Sequence, residues 1–189
     1  MSIELKTVYF EKPGEHNTEE VFRIVRERAD ELGIKTILVA STFGDTAVKA
    51  MAAFKGKRVI IVGHSMGTSE PNVQKFTEEN SNKVESMGGT ILHATHVFMG
   101  VARAMNVKYN APAITDIAAD ILRIFGQGMK VSVEISMMAA DAGLVRTDED
   151  VISISGSARG ADTAIILKPL NSYDFFSLKV QEILCKPHF

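Results

Sequence analysis

Residues 63–67 read Gly63-His64-Ser65-Met66-Gly67, the G-x-S-x-G spacing that sets a nucleophilic serine on a sharp turn between a strand and a helix. The chemistry of that pattern is acyl transfer. A serine hydroxyl attacks a carbonyl, a histidine takes its proton, and a third group orients the histidine. Ser65 is the candidate nucleophile, but its surroundings do not complete the set. A helix should follow it at once, and Pro71 falls where it would break that helix. In hydrolase order an acid and then a histidine come later in the chain. After Asp116, Asp120 and Asp141 the remaining histidine is His188, next to the last residue of the sequence.

Two other groups invite chemistry. His93 and His96 have the H-x-x-H spacing of a metal pair, yet they would face together only on a helix, and His93 closes an apolar run that reads as a strand. No third ligand is fixed by spacing, so no metal is assigned. Glu134 stands between Val133 and Ile135. It is either a buried carboxylate with a displaced pKa, fit to act as a base, or a helical residue that faces solvent or pairs with Lys130 four residues earlier. The second reading is the commoner one, so Glu134 is not placed among the catalytic candidates.

The elements that would carry these residues share a pattern. Apolar runs at 7–10, 36–40, 58–62, 90–94, 151–155 and 163–167 read as strands, mostly continuous and β-branched, as in a parallel sheet covered on both faces. Helical patterns intervene at 17–33, 45–54 and 72–88. The first has an Asn17/Glu20 capping box and a C-cap at Gly33, with Val21, Ile24, Val25 and Leu32 on one stripe. Helices are also expected over 96–105 and 114–128, the latter with Ile114, Ile117, Ile121 and Phe125 aligned. Over 129–143 a strand reading competes with a helix ending at Gly143, and the helix is preferred. A last strand is expected in 175–187, ended by Pro187. The alternation predicts a single α/β domain over 1–189: three layers, a doubly wound and mostly parallel sheet with helices on both faces, and an antiparallel strand near the C-terminus.

In such sheets ligands bind beyond the carboxyl ends of the strands. Here those ends run "EKPGEHNT", "STFGDTA", "GHSMGTSEPN", "ATHVF" and "SGSARGADT". Glycine allows close backbone approach, hydroxyls donate to oxyanions, and free N–H groups at a helix start attract phosphate. Tight turns need the same residue types as caps, so one such loop means little; several on one edge predict a pocket for a phosphorylated ligand. No P-loop or G-x-G-x-x-G turn is present.

Composition narrows the partners. The 189 residues carry a formal charge of −2, without blocks of like charge, which gives no electrostatic case for nucleic acid or an anionic membrane surface. Apolar runs are too short to span a bilayer and the N-terminus does not read as a signal peptide, so a cytoplasmic location is expected. The single cysteine, Cys185, excludes an internal disulfide framework. Nine methionines read as adaptable core filler.

Residues 34–54, "IKTILVASTFGDTAVKAMAAF", resemble the C-terminal α/β domain of pyruvate kinase, and "DVISISGSARGADTAIILKP" resembles its last glycine loop and terminal strands. The blocks "GHSMGTSEP", "THVFMGV", "LRIFGQGMKVSVEISMMAADAG" and "GSARGADTAIIL" extend the likeness over nearly the whole chain, to a stand-alone family of that domain. The resemblance implies phosphate binding by Ser41, Thr42, Gly44 and Thr46 in one loop and by Ser157, Arg159, Gly160 and Thr163 in another, with Phe43 beside them. It implies flavin mononucleotide (FMN) as cofactor; the loops after the third and fourth strands then place Gly63, His64, Ser65, Met66, Gly67, Thr95 and His96 where they would line its ring or sugar. The catalytic barrel of pyruvate kinase is absent, which excludes kinase activity. Asp45, inside the first loop, would repel a phosphate unless it turns away. The resulting expectation is a binding domain for a phosphorylated small molecule or nucleotide. A flavin-dependent oxidoreductase and a serine hydrolase using Ser65 are the alternatives; a regulatory or assembly role, such as the domain has within the pyruvate kinase tetramer, is a third, weaker reading, and a homo-oligomer is a partner to consider.

Overall fold

The computed structural model describes residues 2–189. Branched apolar runs form seven strands: β1 Val8–Phe10, β2 Thr36–Ala40, β3 Arg58–Gly63, β4 Thr90–His93, β5 Val151–Ser155, β6 Thr163–Leu167 and β7 Val180–Pro187. They build one sheet in the order β1-β7-β6-β5-β2-β3-β4. All neighbours pair in parallel except β6, which runs antiparallel to both β5 and β7. The fold is therefore the expected α/β architecture, a mostly parallel sheet between two helical layers.

Alternation along the strands divides the core in two. Ile37, Val39, Val59, Ile61, Ile152 and Ile154 face one side, where they meet α1 (Thr18–Leu32), α2 (Asp45–Ala53) and Val84 of α3 (Glu78–Ser86). Leu38, Ile60, Val62, Val151 and Ile165 face the other, against α6 (Gln127–Asp141). Of two further helices, α5 (Ile114–Arg123) reaches that core through Ala118, Ala119 and Leu122, whereas α4 (Gly100–Tyr109) buries none of its residues. Cys185 on β7 is buried between Val8 of β1 and Ala164 of β6.

Several boundaries differ from expectation for local reasons. Asn17 does not cap α1; its amide donates to the carbonyls of Lys12 and Gly14, and a short 3-10 turn precedes the helix. Gly33 does end α1 in the left-handed region, at φ 69°. The expected helix over 72–88 forms only from Glu78, because Thr77 supplies the cap, accepting from the Asn80 N–H at 3.2 Å. The 114–128 segment is two helices, since Gly126 breaks it at φ 115° and α6 begins at Gln127. The helix reading of 129–143 holds, and the C-terminal strand is confined to 180–187.

α6 is the element that defines the interior. Twelve of its fifteen residues are buried, so its polar side chains must find partners inside the protein. Serines on β5 provide them. Ser153 Oγ donates to the Ser132 carbonyl at 2.9 Å, Ser155 Oγ donates to the Gly128 carbonyl at 2.6 Å, and the Ser132 and Ser155 hydroxyls meet at 2.8 Å. A Cβ on Gly128 would stand 2.5 Å from Thr163 Cβ, so only glycine allows this approach of α6 to the start of β6.

Candidate functional site

The chain leaves β2 for β3 on one side, and β5 later pairs with β2 on the other. This reversal opens a crevice at the carboxyl ends of β2, β3 and β5, the place where open α/β sheets hold ligands. A cavity of about 270 Å³ occupies it. Ala40, Ser41, Thr42, Phe43, Asp45 and Thr46 form one wall, and Gly156, Ser157, Ala158, Arg159 and Gly160 form the opposite wall. His64, His96 and the α6 residues Lys130, Val131, Glu134 and Ile135 lie between the walls, and Glu15, Lys49, Met99 and Arg123 also reach the cavity.

Each wall has a local cause. The Ser41 hydroxyl accepts from the Gly44 N–H at 3.2 Å, closing the turn that enters α2. Gly44 sits at φ 100°, and a Cβ there would collide with Asn80. Asn80 donates to Asp45 Oδ1 at 3.3 Å, and Asp45 still lines the cavity, so the carboxylate expected to oppose a phosphate remains beside the first loop. The second loop is clasped by Asp162, whose Oδ2 accepts from the N–H groups of Ser157 and Gly14, both at 3.0 Å. Thr18 Oγ1 accepts from Ala161 N–H at 3.0 Å, so the loops after β1 and β5 are tied together. Arg159 reaches across to the first wall, its guanidinium 5.0 Å from the centre of the Phe43 ring. Among the described residues neither Arg159 nor Lys49, which also lines the cavity, forms an ion pair.

The floor is charged and largely buried. Glu134, 1% exposed, takes Lys130 Nζ at 2.5 Å and His96 Nδ1 at 3.1 Å on one oxygen, and the Phe98 N–H at 3.2 Å on the other. Burial pushes this carboxyl's pKa up, but the His96 hydrogen bond and the Lys130 charge outweigh it and hold it below the usual carboxylate range. An ionised carboxylate only accepts, so His96 Nδ1 carries the proton in this contact. His96 Nε2 and His64 Nδ1 are both buried without a partner, their rings 4.8 Å apart. Burial, then the neighbouring His96, holds the His64 pKa below its ordinary 6.5.

The residues singled out in the sequence divide into three groups. Ser41, Thr42, Phe43, Thr46, His64, His96, Ser157, Arg159 and Gly160 line this cavity. Ser65, Met66, Gly67 and Thr95 line a second, adjoining cavity of about 420 Å³ that shares His96 and Met99 with the first. Gly44, Gly63 and Thr163 shape the site from behind. Gly63 leaves room for the His93 ring, whose Nδ1 would lie 2.7 Å from a Cβ. Thr163 is buried, and its hydroxyl donates to Asp162 at 2.8 Å instead of facing the cavity. Ser65 Oγ lies 3.5 Å from Thr68 Oγ1 and makes no bond to His96. Among the described residues no cluster of three metal-ligating side chains occurs, and no helix is long and apolar enough to cross a membrane.

Sequence reasoning missed two parts of the site. It sought an acid ahead of a histidine, whereas His96 is oriented by a carboxylate that follows it in the chain. It also passed over Asp162 and Lys130 as site residues; no local spacing reveals that a helix lies inside the protein.

Fold and crevice together define an α/β domain of the doubly wound type with a cavity at the carboxyl ends of its strands. The family model for the pyruvate kinase, alpha/beta domain matches residues 19–167, and the chain belongs to that family. The match includes both pocket walls and all of α6, and excludes β1 and β7 at one edge of the sheet.

Proposed function

We propose that the crevice binds a phosphorylated nucleotide, with FMN the first candidate. The observation that carries the reading is the pairing of unneutralised Arg159 and Lys49 with two hydroxyl-bearing loops at the switch point of the sheet. Ser41, Thr42, Thr46, Ser157 and Arg159 would take the phosphate. Ala40, Val62, Met99, Val131 and Ile135 offer apolar surface for a ring, and the partnerless His64 Nδ1 and His96 Nε2 offer polar contacts at its edge. The donor set therefore fits an anion joined to a flat heterocycle. When bound, a flavin would supply hydride or electron transfer, and this chain's residues would hold it and keep water from it.

Titration with FMN, read by quenching of flavin fluorescence, tests the proposal. Arg159→Ala should weaken binding about ten- to hundredfold, the scale of one charged hydrogen bond. Riboflavin, which lacks the phosphate, should bind correspondingly less well. Absence of FMN binding, or equal affinity for FMN and riboflavin, would refute this reading.

A second reading, acyl hydrolysis through Ser65, draws on the Glu134–His96 pair and on Ser65 and His96 lining one cavity. It requires a Ser65–His96 hydrogen bond, and ester hydrolysis lost in Ser65→Ala would support it.

A further inference from the structure

We propose that the outward face of α5 is a self-association surface, on which a second copy of this chain docks about a two-fold axis. The helix is inverted relative to an ordinary surface helix. Its small residues Ala118 and Ala119, with Leu122, pack on the core, while Ile114, Ile117, Ile121, Ile124 and the adjoining Phe125 are 85%, 55%, 57%, 75% and 52% exposed. Spaced at helical intervals, the first four form one stripe. Leaving four isoleucines and a phenylalanine in water is costly unless something covers them.

The extent of the stripe fits another protein surface. Its apolar area is on the order of 500 Å², at the upper end of what a monomer leaves exposed and approaching the roughly 800 Å² per partner of a stable interface. α4 adds Val101, Met105 and Tyr109 at i, i+4 and i+8, each 49–76% exposed, and is tied to α5 by the Asn106–Asp116 hydrogen bond at 2.7 Å. Charge does not oppose a like partner. Asp116 is turned inward, accepting from Asn106 and the Ala113 N–H, and Asp120 is already paired with Arg123 at 2.6 Å. A two-fold contact that sets α5 of one copy on α5 of the other therefore lays apolar strip on apolar strip without an uncompensated charge between them. The acids on α5 disfavour an anionic membrane surface, which amphipathic helices usually approach with lysine and arginine. Arg123 also lines the ligand cavity, so the interface adjoins the pocket without depending on its ligand.

Sedimentation velocity on the full chain decides the matter. The expected species has twice the 20.6 kDa chain mass. The double substitution Ile117→Arg with Ile121→Arg should raise the dimer dissociation constant at least about 100-fold, since charges at an interface centre act as hot-spot losses. Ile117→Ser with Ile121→Ser should act in the same direction and guards against misfolding, with circular dichroism confirming a native spectrum. Phe176→Arg, on a separate and 91% exposed position, should leave the dimer intact. A monomer at about 100 µM overturns the proposal, as does a dimer unaffected by both folded double variants. So does a monomer that floats with neutral phosphatidylcholine vesicles, which would assign the stripe to a lipid surface.

Discussion

Lys130 and Glu134 stand one helical turn apart with their charges 2.5 Å apart, and both are at most 5% exposed. A pair so placed stabilises only while complete. Lys130→Met strands a buried carboxylate and should cost about 3–5 kcal/mol, whereas Lys130→Met with Glu134→Leu should cost far less. Urea unfolding of the three proteins measures that coupling. The same site sets the response to acid. His64 is held below its ordinary 6.5, so it favours the folded state above that pH, and its share of stability is lost as pH falls below 6.5. Glu134 is held below its ordinary 4.5, and its contribution is present above that value and lost as pH falls through the lowered pKa. Stability should therefore decline in two acid steps, with His64→Asn removing the first. At this scale the sequence was half legible. The loop residues Ser41, Thr42, Ser157 and Arg159 announce themselves through glycine neighbours and position after strands. The pairing of Lys130 with Glu134 was readable from spacing, but the burial that gives it meaning was not.

Among the elements, α6 is where propensity and packing disagree. Alanine is the better helix former by about 1 kcal/mol, so Gly128→Ala would stabilise an isolated helix. Within the protein it drives a methyl into Thr163 and Asp162, neighbours held by the Asp162 clasp. The substitution should lower stability by about 1–3 kcal/mol, and a thermal melt that moves upward would contradict the packing account. This element also shows why 129–143 was ambiguous in the sequence. Val131, Val133 and Ile135 alternate like a strand because a helix buried on nearly every side needs no polar face. The serines that fix its position lie on β5, more than twenty residues away, in a strand whose neighbours read simply as apolar. The stripe on α5 was visible from its spacing, yet its direction was not, because periodicity locates a face without saying what the face meets.

For the whole molecule, strand-helix alternation made the sheet, its layers and the crevice legible. The edge strands were harder, since β1 has three residues and β7 pairs with β1 across almost the full length of the chain. That long closure bears on Cys185, buried where β1, β7 and β6 meet. Burial pushes its thiol up to about 12, so at neutral pH it is neither ionised nor reachable. Ellman's reagent should leave the native protein unlabelled and react fully in denaturant. Under native conditions, slow labelling would report how often the sheet edge detaches. The sole thiol of this chain is thus a built-in clock for the moment at which its two ends part company.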